Sequence, residues 1–193
     1  MSFKSPGSAA LTTDAFAAQD SVGVGASTYP YKELPPALVT GHKFIDFEHQ
    51  LLLNSMASLR QVCTGFSANE GCESCVANSR FECEGSLVSL LGDLLVFMMD
   101  HFQHEERLMR DSLLMMVDRD LCEAHMEDHA AISGKVQQII ARLNPMRISA
   151  LIRELDALLH GWLTHHVSLH DLWLVRWTER EESVLRTAIA GNR

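Results

Sequence analysis

No segment of this chain is apolar for long enough to cross a lipid bilayer. The longest such run, Leu87 to Met99, is cut by Gly92 and Asp93 and falls short of the roughly 20 residues that a span requires. The N-terminus shows no basic segment followed by an apolar one, so it does not read as a secretory leader. Basic excess is missing too. With 16 Lys and Arg against 25 Asp and Glu, the formal net charge is −9, which leaves no basic stripe to neutralise phosphates and argues against nucleic acid as a partner. No strand-like alternation and no internal repeat stand out. These absences predict a cytoplasmic protein without a membrane or nucleic-acid partner, whose acidic surface serves solubility.

What is present is helical. The 193 residues, 47% of them apolar, suit one globular domain plus an appendage. Residues 1–38 are rich in Ser, Ala, Gly and Pro without a sustained period, and are expected to form an irregular N-terminal arm. Four stretches then place apolar residues at three-and-four spacing, at roughly 41–63, 84–116, 119–143 and 146–180. Asn144-Pro145 supplies a stop and a pre-set helix start between the last two. The fold class predicted is all-α, an up-down-up-down four-helix bundle over residues 39–180, with an insertion at 63–83 and a helical extension at 181–193. Beyond the last histidines Leu174, Trp177, Val184, Leu185 and Ala188 keep helical spacing into that extension, which would suit a signalling output domain or a partner protein, or a helix folding back on the bundle.

The chemistry lies on the buried stripes. In the second helix Leu87, Leu90, Leu94 and Met98 lead to His101 and Glu105, one turn apart, and then to Leu108. His104, among Asp100, Gln103 and Arg107, is expected to face water. The third stripe reads Leu121, Cys122, His125, His129, Ile132, Val136, an i,i+4 pair of imidazoles pointing inward. His49 stands between Ile45 and Leu52, and Leu155, Leu159 and Trp162 lead to His166. One histidine on an apolar face is usually a hydrogen-bonded core residue. Burying several with a carboxylate at one level, and no metal to take their lone pairs, would cost several kcal/mol of desolvation. Imidazole and carboxylate suit iron, and bundles commonly build such sites from facing helices. Asp171 fits less simply, because five residues from His166 on an ideal helix is about 140° of rotation. Spacing alone favours His170; a wide core face or a π-bulge would let both His166 and Asp171 reach the centre.

These residues resemble the hemerythrin family, particularly its bacterial members. The pieces are Ile45-Asp46-Phe47-Glu48-His49, then His101-Phe102-Gln103-His104-Glu105-Glu106 with Leu108-Met109, then His125 and His129, then Trp162-Leu163-Thr164-His165-His166-Val167 with Asp171. The resemblance spans roughly residues 40–176 and selects His166 and Asp171 over His170. It implies two non-haem iron ions with an oxo or hydroxo bridge. His125, His129 and His166 would hold one iron, His49 and His101 the other, with Glu105 and Asp171 bridging them. The second iron would keep an open position for dioxygen, and Leu163 would line the oxygen pocket, excluding water. Trp162 is expected to pack the core. The family's proline-containing turn before the third helix is replaced by Val117-Asp118-Arg119-Asp120, and its aromatic residue before the first helix is matched at best by Tyr29 or Tyr31.

The function expected is reversible oxygen binding for sensing or delivery, without turnover. The alternatives are a di-iron oxidase, a peroxide or nitric oxide reductase, or an iron-storage bundle. Oxidase bundles typically carry Glu-x-x-His pairs, whereas the order here is His-x-x-x-Glu, which disfavours them. Outside that pattern, Cys63, Cys72, Cys75 and Cys83 form a C-x8-C-x2-C-x7-C series in the insertion. Four thiolates there could close a zinc site, work as a thiol/disulfide switch, or be inert. Cys122 reads as a small buried hydrophobe, and Met98, Met99, Met109, Met115 and Met116 as core filling and surface scatter.

Overall fold

The computed structural model describes residues 33–63 and 71–190. Tyr29, Tyr31, most of the N-terminal arm and the last three residues lie outside the described residues. The described part is helical, with no strand in it: α1 Lys43–Val62, α2 Ala77–Asp111, α3 Leu114–Val117, α4 Arg119–Ile140, α5 Ile148–His166 and α6 Leu172–Ala190.

Side-chain caps mark the starts of α1 and α4 and of one 3-10 turn. His42 caps α1, its Nδ1 accepting the Ile45 N–H at 3.4 Å. Asp46, in the first turn, accepts from the Thr40 N–H and hydroxyl, both at 2.7 Å, and from the Gly41 N–H at 3.1 Å. That carboxylate turns the incoming chain, and Gly41 adopts the φ of +94° that the turn requires. Asp118 caps α4 through the Leu121 N–H at 3.3 Å, and the Asn144 side chain caps the 3-10 turn Pro145–Arg147 through Met146 N–H at 2.9 Å.

The long helices bury one stripe each. α1 packs on α2 and α5, and α4 packs on the same two helices, closing a four-membered ring. Its core holds Leu52, Leu53, Met56 and Leu59 from α1, Leu87, Leu91, Leu94 and Met98 from α2, Ile132 and Val136 from α4, and Leu155 and Leu159 from α5. A smaller cluster of Met109, Leu114, Cys122 and Leu174 closes the other end beneath α3 and α6. Met98 and Met109 are buried, and Met99 and Met116 are exposed.

Two helix boundaries differ from the sequence reading. α2 starts at Ala77 instead of residue 84, so Cys83 lies inside the helix and the connection is shorter than the insertion suggests. Helical propensity from Ala77 to Glu84 is adequate, but no apolar period announces it. The same helix breaks at Ser112 and Leu113, where Leu113 takes a left-handed φ of 56°. Trp177 Nε1 donates to the Ser112 carbonyl at 2.9 Å, tying that break to α6.

Candidate metal centre

At one level of the bundle, His49, His101, Glu105, His125, His129, His166 and Asp171 are each at most 3% exposed. α1 supplies His49, α2 supplies His101 and Glu105, α4 supplies His125 and His129, and α5 supplies His166. Asp171 arrives by a different route. Val167–Asp171 forms a π-helical turn between α5 and α6. A turn closed by i→i+5 bonds takes one more residue than an α-turn, so Asp171 swings under His166 instead of 140° away. His170 is left beside the centre, half-buried and stacked on His125 with ring centroids 4.8 Å apart.

The inward atoms fall into two groups. His125 and His129 each place Nε2 3.2 Å from His166 Nε2. Nitrogens bound at about 2.1 Å to one ion at right angles would stand about 3.0 Å apart, so the spacing fits three ligands of one metal. Glu105 Oε2 lies 3.3, 3.0 and 3.6 Å from Nε2 of His125, His129 and His166, while its Oε1 lies 3.6 Å from His101 Nε2. Asp171 repeats the division: Oδ1 is 3.5 and 3.0 Å from His125 and His166, and Oδ2 is 3.1 Å from His49. Each carboxylate turns one oxygen to the three-imidazole group and the other to the two-imidazole group.

Several of these buried atoms lack a hydrogen-bond partner, namely His101 Nε2, Glu105 Oε1 and Asp171 Oδ1. Orphaned buried polar atoms are strongly unfavourable. A cation in each group would satisfy them, and the donor set fits.

The outer nitrogens are held as well. His49 Nδ1–H donates to the Leu38 carbonyl at 3.1 Å, His101 Nδ1–H to Glu48 at 2.9 Å and His166 Nδ1–H to Asp128 at 2.7 Å. His129 Nδ1 stands 3.5 Å from Glu106 Oε1. An acceptor at Nδ1 fixes the tautomer that leaves the Nε2 lone pair free for a metal. Glu48 and Asp128 were not legible as site residues, although each precedes a centre histidine by one position. Successive residues on a helix point about 100° apart, so while His49 and His129 face the centre, Glu48 and Asp128 face the neighbouring helix. His104, expected in water, is half-buried, with Nδ1 3.2 Å from Glu48 and its ring edge-on to Phe44. The Leu38 carbonyl had no sequence signal, being backbone. Trp162 packs the core, stacked on His166 at 4.6 Å, and its Nε1–H also donates to Asp128 at 2.6 Å.

Charge follows this wiring in the metal-free protein. Burial raises the Asp128 carboxyl, but hydrogen bonds from His166 and Trp162 win and bring it down to about 2. Burial disfavours the His166 imidazolium, yet Asp128, Asp171 and Glu105 hold its pKa well above the ordinary value. Glu105 is pulled well below the carboxylate range against its burial, first by His101 and then by the three facing imidazoles. His170 goes the other way, down to about 4, through burial and the neighbouring His125 and His166 charges.

Residues 40–178 match the family described as Hemerythrin HHE cation binding domain. The chain belongs to the hemerythrin family. No curated protein and no solved structure matches it. As a hemerythrin-family bundle it carries a His/Glu metal-binding cluster, formed by Glu105, His125, His129 and His166 together with His49, His101 and Glu105. Among the described residues no helix is long and apolar enough to cross a membrane.

The remaining expected residues lie elsewhere or at the edge of the centre. Leu163 is buried in the core beside Trp162. Cys122 is buried in the smaller cluster and lines a cavity of about 10 Å³ with His125, and burial pushes its thiol up. Cys63 and Cys72 are buried while Cys75 and Cys83 are half-buried, and all are free thiols.

Proposed function

We propose that this protein holds two non-haem iron ions and binds dioxygen reversibly, for sensing or delivery, without turnover. The observation that carries the reading is the split of both carboxylates. Glu105 and Asp171 each offer one oxygen to a three-imidazole group and one to a two-imidazole group. With one oxygen from each carboxylate, His125, His129 and His166 would offer one ion five donors, whereas His49 and His101 would offer the other four, leaving it more room for an exogenous ligand. When bound, the iron pair supplies the electrons and the open position that dioxygen requires.

The chain's own residues do the rest. Leu38, Glu48, Glu106 and Asp128 orient imidazoles from outside. Leu163, with Phe102 and Trp162, makes the surroundings apolar, which keeps water away and slows loss of the bound oxygen. A cytoplasmic setting belongs to the same reading and rests on the five free thiols. The continuation of α6 to Ala190, with Val184, Leu185 and Ile189 exposed, supports a signalling output domain or partner beyond the bundle.

The test is metal content followed by visible absorption of the reduced protein, without oxygen and again in air. About two irons per chain, with charge-transfer bands that appear in air and vanish on deoxygenation, is the expected result. Irreversible oxidation, or sustained turnover with a reductant, would replace oxygen binding by redox catalysis. A folded, iron-reconstituted sample without iron would remove the proposal altogether.

A further inference from the structure

Four cysteines lie on neighbouring elements at the opposite end of the bundle from the histidines. Cys63 follows the last residue of α1, fourteen positions and about 20 Å along the helix from His49. Cys72 opens the 3-10 turn Cys72–Ser74, and Cys75 ends it, its N–H donating to the Cys72 carbonyl at 3.2 Å. That bond closes the C-x2-C segment into a tight turn with its ends within about 7 Å. Arg80, from the first turns of α2, donates to the carbonyls of Cys72 and Cys75 and holds the turn against the helix. Cys83, in α2, donates its S–H to the Val62 carbonyl at 3.3 Å, which sets it over the end of α1 beside Cys63.

The surroundings suit thiolate ligands. Cys63 and Cys72 belong to the main apolar core and Cys83 packs against it. The Ser149 N–H, at the start of α5, points at Cys72 Sγ from 3.5 Å, and a backbone N–H donated to sulfur is a bond that supports a coordinated thiolate. The Cys83 thiol is pushed up by burial and then by Cys63, Cys75 and Cys72. A divalent cation turns their mutual repulsion into attraction.

We propose that Cys63, Cys72, Cys75 and Cys83 form a second metal site, a tetrahedral thiolate site for a soft divalent ion of the zinc class. Sulfurs bound at about 2.3 Å to a tetrahedral ion stand about 3.8 Å apart. Among the described residues, the groups already gathered within 4.8 Å are histidine and carboxylate groups, so the ion draws the thiols inward. Cys72 and Cys75 come from the 3-10 turn, Cys63 from the end of α1 and Cys83 from α2. The ion then ties the end of α1 to the start of α2 and, through Ser149, to the start of α5.

The test uses the full chain, iron-loaded so that the histidines are occupied, kept reduced and anaerobic, and titrated with Zn²⁺ or Co²⁺. One zinc per chain beyond the iron, and sulfur-to-cobalt charge-transfer bands with tetrahedral d–d bands for Co²⁺, are expected. Cys75→Ser and Cys83→Ser should each weaken that ion by at least about 100-fold while leaving iron content unchanged; Cys122→Ser should leave the iron and the zinc in place. The cobalt spectrum of the unaltered chain decides without any variant, because no histidine can supply a sulfur transition. Absence of those bands, zinc uptake indifferent to both substitutions, or a disulfide formed in air with no zinc uptake in the reduced protein would overturn the proposal. None of these outcomes bears on iron or oxygen at the histidine centre.

Discussion

Asp128 is not expected to touch a metal, yet replacing it should weaken metal binding. Its Oδ2 accepts from His166 Nδ1 at 2.7 Å and from Trp162 Nε1 at 2.6 Å. In Asp128→Ala the His166 ring loses the acceptor that holds its tautomer and its orientation, and the indole N–H loses its partner too. A hydrogen bond to a charged acceptor contributes about 1.5–3 kcal/mol, and loss of such an outer partner typically lowers metal affinity about 10–100-fold. At 1.4 kcal/mol per tenfold the two ranges overlap, so about 2 kcal/mol is expected at the three-imidazole group. Asp128→Asn keeps an oxygen acceptor without the charge and should lose about tenfold or less. Anaerobic competition of Fe²⁺ against a chelator of known affinity measures this, with circular dichroism confirming that the helices remain. If Asp128→Ala binds within about threefold of the unaltered chain, the outer hydrogen bond does not position His166 and the reasoning fails.

Other perturbations separate the parts of the centre. His49→Ala disrupts the two-imidazole group alone, so metal analysis should find about one tightly held ion per chain, whereas Glu105→Gln touches both groups and should lower both occupancies by about tenfold or more. In the metal-free protein the His166 pKa is raised, so its contribution to stability is complete below about 6.5 and is lost as pH climbs through the folded value. Metal must displace that proton: loading at pH 7 should release protons, measurable by calorimetry in buffers of different ionisation enthalpy, and affinity should fall on acidification. Zero proton release would contradict the charge state inferred for the cluster. Leu163→Ala, at a residue 1% exposed, should cost about 2–5 kcal/mol and shorten the lifetime of the oxygenated protein, read from decay of its visible bands. Leu113→Asn, at an exposed left-handed position with φ 56°, should raise stability by up to about 1 kcal/mol in urea titration.

The bundle and the inward residues were legible because helical period and burial are the same fact seen twice. His101 and Glu105, or His125 and His129, stand one turn apart on stripes that must face the core in any bundle. Asp171 was not legible from spacing, since the π-turn that delivers it violates the period the reading assumes, and only the family pattern selected it. Glu48 and Asp128 were passed over because a carboxylate beside a histidine usually reads as the solvent edge of a helix, and its real partner lies on another helix whose rotation no local pattern reports. The first turns of α2, from Ala77, carry no sequence signal because that segment buries little, leaving no stripe before Leu87. Leu38 illustrates a further limit: what it offers the site is a carbonyl, which every residue has.

The outer acceptors run around the ring in one sense. Glu48 on α1 serves His101 on α2, Glu106 on α2 stands by His129 on α4, and Asp128 on α4 serves His166 on α5. α1, α2 and α4 thereby each carry both a ligand for the centre and, one residue away, the guide for the next helix's ligand, while His49 on α1 takes its own guide from the Leu38 carbonyl. Any of these three that turned on its axis or slid along it would misplace two ligands on two helices at once. The four helices are thus geared together at the level of the metals, like cogs that can advance only as a set. A shift of Asp171 at the centre would reach α6 directly, because α6 is continuous with the π-turn that carries Asp171.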